Sequence, residues 1–382
     1  GSVQTIAVSA GNVYAGGLFN SIGGQFRTYI AKLNNTSGQL DAAWNANANN
    51  TVYSIVVSGS DVYVGGTFTT IGGQTRNRIA KLNNTNGNAD ATWNPNANNI
   101  IFTVAVNGSE VYAGGNFTTI GGQTLNRIAK LNNTTGNADV SWNPDANSIV
   151  YTIAVSGSDV YAGGIFSSIG GQTRNRIAKL NNTNGQADGA WNPNPDSDVN
   201  TIAINGSGIY AGGSFTTIGG QTRVCIAKLN NTNGYADVTW NPNSNSSVFS
   251  IVLSGTDIYA GGSFTSIGGQ SRNFIAKLNN TNGNADAAWD ANANANIRAI
   301  AVSSSDIYAG GNFTTMSGNS VGYFALFTGR TLPVELSSFT SVVKGNDVIL
   351  NWSTTQEENN KGYEIERSSY GIGWKKVGYV EG

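Results

Sequence analysis

The chain contains no histidine, so the commonest general base, the usual zinc ligand and the familiar hydrolase triads are all missing from it. Cysteine occurs once, at Cys225, and a lone thiol cannot close a disulfide within the chain. Charge of either sign is scarce and balanced: 21 Lys and Arg stand against 22 Asp and Glu in 382 residues, a formal net charge of −1. That leaves no basic footprint for nucleic acid or for an anionic membrane surface. No stretch approaches the roughly 20 apolar residues of a membrane helix, and residues 1–30 lack a basic start followed by an apolar run. The expectations are a soluble mature form, no nucleic-acid partner, no membrane insertion, no cofactor, no metal and no catalytic constellation. What is present suffices for a large core, with 39% hydrophobic and 10% aromatic residues.

Glycine is abundant, with 50 residues, and much of it is periodic. A Tyr-x-Gly-Gly-x-Phe signature occurs seven times at an interval of 49 residues, with tyrosines at Tyr14, Tyr63, Tyr112, Tyr161, Tyr210, Tyr259 and Tyr308. A period of that size without insertions marks one supersecondary unit that buries its apolar face on its neighbours. Each unit reads as four short strands separated by Gly, Asn and Ser clusters. In unit four these are Val150 to Val155, Val160 to Phe166, Arg176 to Leu180, and a fourth around Ala187 to Asn192 that carries Trp191 and stops at Pro193. Equal four-stranded units without helical periodicity predict an all-β fold, a seven-bladed β-propeller over 1–330, with a linear β-solenoid as the competing arrangement.

Unit seven departs from the pattern. Fourth-strand tryptophans stand at Trp44, Trp93, Trp142, Trp191, Trp240 and Trp289, and the seventh has no counterpart. Val334 to Ser338, another molecule, or nothing could occupy that place. Charge density more than doubles at the same point, 12 charged residues falling in residues 331–382 and 31 in all that precedes. A second domain is therefore expected over 331–382.

From Val62 the string VYVGGTFTTIGGQTRNRIAKLNNTNGNADATWNPNANN resembles the delta-60 repeat of bacterial propeller-forming proteins. The resemblance spans residues 1–330 and implies a large exported surface or secreted protein, without catalytic residues to carry over. The tail LPVELSSFTSVVKGNDVILNWSTTQEENNKGYEIERSS, with Trp352 and Tyr363, is similar to the fibronectin-type-III-like module that precedes type IX secretion signals in Bacteroidota and their relatives. That resemblance implies export across the outer membrane, to the cell surface or the medium. Residues 331–382 are about half of the ~100 residues of such a sandwich, so they read as its N-terminal half. Either the remainder is missing, or a neighbouring subunit completes the module or the short blade by strand addition, making a homo-oligomer or filament.

Several residue columns bear on chemistry. The six tryptophans, Trp44, Trp93, Trp142, Trp191, Trp240 and Trp289, would serve a lectin as stacking platforms for sugar rings, or wedge between adjacent blades as core. The tyrosine column reads as core. Arg27, Arg76, Arg174, Arg223 and Arg272 form a basic column, broken by Leu125, that would face an acidic glycan if exposed. Six lysines (Lys32, Lys81, Lys130, Lys179, Lys228 and Lys277) match six aspartates (Asp41, Asp90, Asp139, Asp188, Asp237 and Asp286) as blade-to-blade ion pairs or turn bonds. Turns such as Asn84 to Asp90 read as Asx turns, with too few carboxylates for calcium. Among the acids, Asp145, Asp196 and Asp198 break the symmetry, and Asp196 with Asp198 is the one local pair an enzyme could use. The expected function is a non-enzymatic structural or adhesive surface protein, self-assembling by strand complementation, with a multivalent carbohydrate-binding lectin as the alternative.

Overall fold

The computed structural model describes residues 1–35, 37–206, 208–303, 306–328, 334–345, 347–357, 363–369 and 372–380. Their regular structure is all strand, and no helix among them is long and apolar enough to cross a membrane. The chain divides into two compact units, Gly1–Ser303 with Ile307–Leu326, and the remainder.

The first unit carries seven three-stranded antiparallel sheets, one per 49-residue repeat. In repeat two, Val52–Ser58 pairs with Asp61–Gly66, and that middle strand pairs with Ile79–Asn83. The register slips between Val52 and Ser54, so Tyr53 is the extra residue of a β-bulge. The glycines of the signature explain why only Gly fits there. A Cβ on Gly65 would lie 2.6 Å from the Ile101 side chain of the next repeat, and one on Gly66 would lie 2.2 Å from the Thr51 carbonyl. Between the middle and third strands, Thr70–Ile71 and Gln74–Thr75 form a small hairpin across Gly72 and Gly73. Both glycines have positive φ, 59° and 76°, as a two-residue primed turn requires.

The fourth strand read from the sequence is not formed. Leu180 makes a single antiparallel bridge to Ala187, as Leu82 does to Ala89, and the tryptophan that follows sits on irregular chain. The reason is local. After the Asp90 N–H bonds the Lys81 carbonyl, the Asp90 carboxylate accepts the N–H groups of Thr92 and Trp93, at 2.9 and 3.1 Å, and turns the chain out of the ladder.

Each first strand lies against the first strands of the repeats before and after it, and Ile297–Ser303 of repeat seven lies against Ser2–Ser9 of repeat one. The series returns to its start, which makes the first strands the innermost ones. Side chains stitch them together: the N–H groups of Ile55, Val104, Ile153 and Ile300 donate to the hydroxyls of Thr5, Ser54, Thr103 and Ser250 one repeat earlier, at 3.0–3.3 Å. Repeat seven meets repeat one by the same rule, since a Cβ on Gly310 would strike Val3 at 2.5 Å. Where the other repeats use Tyr and Trp, this junction has Tyr308 stacked on Phe324 at 6.2 Å, with the Tyr308 hydroxyl donating to the Asn35 carbonyl.

In the second unit, Val334–Lys344 pairs with Asp347–Glu357, and Tyr363–Ser369 with Ile372–Val380. The stretch Val334 to Ser338 belongs to the first of these hairpins. Trp352 and Tyr363 bring the two hairpins together, ring centres 5.4 Å apart. Phe339, Val342, Val343, Val348 and Ile349 remain exposed. The expected domain start at Thr331 and the departure from pattern at 329–333 lie outside the described residues.

Candidate functional site

The tryptophan column cannot serve as a row of stacking platforms. Trp44, Trp93, Trp142, Trp191 and Trp240 are 0% exposed, and Trp289 is half-buried. Each ring meets the tyrosine of its own repeat edge to face, at 5.3–5.6 Å from Tyr14–Trp44 to Tyr259–Trp289. The five buried indoles each donate to the backbone carbonyl of an asparagine in the following repeat, as Trp93 does to Asn132 at 3.0 Å. Tyr14, Ile30 and Trp44 thus pack with Val52, Ile55, Phe68 and Leu82 of repeat two in one core cluster. The tyrosine phenols share that burial, which pushes Tyr63 up to about 12, helped by Asp61 and Asp90.

The charged columns are equally occupied. Lysine pairs with carboxylates of its own repeat, Lys81 with Asp61 and Asp90 at 3.1 and 3.6 Å, and Lys130 with Glu110 and Asp139 at 3.4 and 2.8 Å. The link to the next repeat is a hydrogen bond from the same ammonium to a backbone carbonyl, Lys81 to Asn133 at 3.2 Å. The ion pairs therefore lie within repeats, and a further N–H of Lys32, Lys81, Lys130, Lys179 and Lys228 is what crosses. Shallow clefts beside these groups, about 390 Å³ at Glu110, Lys130 and Asp139, are lined by side chains already paired. Arg76, Arg174, Arg223 and Arg272 are buried and turn their guanidinium groups onto carbonyls, Arg223 to Thr222 and Asp237 at 2.8 and 2.7 Å. They do not face solvent, so an acidic glycan cannot meet them.

Two of the symmetry-breaking acids replace asparagines in structural bonds. Asp145 accepts from Asn126 as Asn96 does from Asn77. Asp196 accepts the N–H groups of Thr216 and Thr217 at 2.8 and 3.0 Å, as Asn49 does from Thr69 and Thr70. Burial works to raise the Asp196 carboxyl, but the Thr216 hydroxyl and these N–H groups hold it below the usual range. Cys225 belongs to a column of non-glycine residues in the left-handed region, with Tyr29, Arg78, Arg127, Arg176, Phe274 and Tyr323, all near φ 62–66°. Burial first, then the Asp196 charge, pushes its thiol up to about 11, which leaves it unreactive.

One column carries chemistry that changes from repeat to repeat, and the sequence reading missed it. The bulge position of the innermost strand is held in turn by Gln4, Tyr53, Phe102, Tyr151, Asn200 and Phe249, and by Arg298 one period on. All seven are half-buried. Their side chains reach from repeat to repeat around the centre: Tyr53 to Phe102 and Phe102 to Tyr151 at 5.4 Å between ring centres, and Arg298 over the Phe249 ring at 4.3 Å. Burial first, then the charge of Asp198, the third of the symmetry-breaking acids, raises the Tyr151 phenol. Comparing the seven first strands position by position would have exposed the column. A separate exposed ring, Tyr235, stands in an open cleft of about 500 Å³ with Asn192, Asn194 and Gln221.

Repeated sheets facing one another around their innermost strands define a β-propeller. A model described as a β-propeller domain of unknown function, DUF5122, matches residues 11–43, 55–92, 110–141, 159–189, 208–239 and 257–288. These stretches cover more than half of the chain, which belongs to that family; repeat seven, which lacks the tryptophan, is not among them. No curated protein matches the chain. Among solved structures, the computationally designed Ika8 protein is similar at a TM-score of 0.54 and 12% identity, covering 86% of this chain and 96% of that one. The WD40 β-propeller domain of Doa1 is similar at 0.56 and 12% identity, covering 81% of this chain and 89% of that one. At such identity the likeness concerns the fold alone.

Proposed function

We propose that the chain is an exported, non-enzymatic adhesive protein: a seven-bladed propeller of delta-60-like repeats followed by a fibronectin-type-III-like module, displayed at or released from a bacterial surface. The observation that carries this reading is the engagement of the repeated charged and aromatic columns. Trp, Lys, Asp and Arg all hold one repeat to the next or cap its turns, while the column that varies is rich in aromatic and amide groups. Such groups are common contacts in ligand sites. Recognition then belongs to the faces of a rigid ring, with avidity from display in many copies.

The test is retention of the purified chain on surfaces coated with polysaccharide, beside a panel of glycoside substrates. Retention without turnover is the expected result. Turnover that disappears in D198N would overturn it.

Self-assembly is a second reading, favoured by one feature. The hairpin of Val334–Lys344 and Asp347–Glu357 leaves Phe339 62%, Val343 73% and Val348 61% exposed, an apolar ribbon of the kind a strand from another copy covers. Native mass and electron microscopy decide it: oligomers or filaments that F339K or V343K dissolves support it, and a strict monomer at high concentration removes it.

A further inference from the structure

Arg298 is the unusual member of the central column. Its guanidinium lies over Phe249, its Nε, like that of seven other arginines, is buried without a hydrogen-bond partner, and among the described residues no carboxylate pairs with it. Arg78 and Arg127, and the buried Arg76, Arg174, Arg223 and Arg272, spend N–H groups on backbone carbonyls. Burial of this charge is a cost against which the described chain sets only the face of the Phe249 ring, and it draws the Arg298 pKa down. A half-buried guanidinium with unused N–H groups is a receptor for a planar anion, a carboxylate above all.

Its neighbours around the centre say what the carboxylate is attached to. Gln4 follows in repeat one, then the aromatic run Tyr53, Phe102 and Tyr151, whose rings touch in series. On the other side, beyond Phe249, comes the Asn200 amide. Aromatic surface interleaved with amides and phenols suits the mixed C–H and hydroxyl faces of a pyranose. Because Gln4 separates Arg298 from the aromatic run, one sugar does not reach both, whereas consecutive sugars do.

We infer that this rim binds an acidic oligosaccharide, with a uronate carboxylate on Arg298 and the following sugars on Gln4 and the Tyr53, Phe102 and Tyr151 rings. The inference rests on the adhesive reading and supplies its ligand class. It also moves sugar recognition from the buried tryptophans to a single site that breaks the symmetry of the repeats.

The experiment is isothermal titration of the full chain with trigalacturonic acid, the matching neutral galactose trimer, and acetate. Saturable binding of the acidic trimer is expected. It should weaken at least about tenfold in R298Q, the scale of a lost charge-assisted hydrogen bond, and weaken in F102A. Y235A, at the separate cleft, should bind as the parent does. Unchanged melting temperatures keep these comparisons interpretable, and R298K, which retains charge without the fork, should fall between parent and R298Q. Equal affinity for the neutral trimer, loss in Y235A but not R298Q, or acetate competing at the trimer's own concentration would each overturn the assignment. If the chain adheres to coated surfaces yet ignores trigalacturonate, only this inference falls; if it adheres to nothing, the adhesive reading falls with it.

Discussion

The indole N–H of Trp93 donates to the backbone carbonyl of Asn132, 39 residues away, at 3.0 Å. The two residues belong to different repeats, so a single side chain fixes the offset between neighbouring sheets. Asp90 places it, holding the Trp93 N–H at 3.1 Å, and Tyr63 buttresses its ring at 5.5 Å. Trp93→Ala removes a fully buried indole and should cost about 3–5 kcal/mol. Trp93→Phe keeps most of the volume but deletes the indole donor, leaving the Asn132 carbonyl with the Gly136 N–H at 2.9 Å alone, a smaller loss of about 1 kcal/mol. Urea unfolding followed by circular dichroism checks both, and a Trp93→Phe variant as stable as the parent would mean that the hydrogen bond contributes nothing.

Two glycines eight residues apart make opposite demands on a methyl group. Gly65→Ala should be severe, because its Cβ would lie 2.6 Å from the Ile101 side chain and 3.2 Å from Val104, both in the closely packed next repeat. Gly73→Ala meets nothing within 4 Å, and its penalty comes only from φ of +76°, about 1–2 kcal/mol. Melting temperatures of the two variants should therefore separate clearly, with Gly65→Ala the lower.

The period, the three strands and the core role of tyrosine were legible because each repeats at one spacing, and equal spacing forces equal environments. The fourth strand was misread because Ala187 to Asn192 has the composition of a strand while Asp188 supplies an Asx turn that only hydrogen bonding reveals. The Lys and Asp columns read as blade-to-blade ion pairs or turn bonds, and the turn bonds form while the ion pairs stay within a repeat, because the middle strand brings Asp61 and Asp159 diagonally across the ladder from Lys81 and Lys179. The central column stayed hidden for a different reason. Its identity depends on which strand is innermost and on a bulge opposite two glycines, both consequences of packing between repeats that no single 49-residue window contains.

Asp41, Asp90, Asp139, Asp237 and Asp286 are all held below the ordinary carboxylate range. At Asp90 burial acts in the opposite direction and is outweighed by the Thr92 and Trp93 N–H groups, the Thr92 hydroxyl and the Lys81 charge. A folded-state value below the unfolded one adds stability that is present above the unfolded pKa, about 3.9 for Asp, and is lost as pH falls through the folded value. Urea midpoints should hold from neutral pH to about pH 4 and then drop, the more steeply because the same device recurs in five repeats. D90N, whose amide oxygen still accepts both N–H groups, should fold and show a slightly shallower drop. Midpoints that rise below pH 4 would contradict the account.

Asp196 offers a sharp separation between structure and chemistry. Asparagine stands in its place at Asn49, Asn98, Asn147, Asn245 and Asn294, where each side-chain oxygen accepts the same pair of loop N–H groups. D196N should therefore unfold within about 0.5 kcal/mol of the parent. D196A, which strands those donors, should lose about 1–2 kcal/mol. Equal stability of all three would show the loop bonds to be idle.

The junction between repeats seven and one is made without a tryptophan, and Tyr308 carries the cross-repeat bond instead. Its hydroxyl donates to the Asn35 carbonyl at 3.2 Å while its ring stacks on Phe324. Val3, Ala15 and Leu33 of repeat one pack there with Tyr323 and Phe324 of repeat seven. Tyr308→Phe keeps the stack and deletes the donor, so it should lower stability by about 1 kcal/mol. Amide exchange should quicken first in Ser2–Ser9 and Ile297–Ser303, the two first strands that meet at this junction. The same substitution at Tyr161, whose ring stands against the buried Trp191, should leave exchange in those two strands unchanged. If both variants loosen Ser2–Ser9 equally, the junction is no weaker than the other contacts between repeats, and Tyr308 does not hold it.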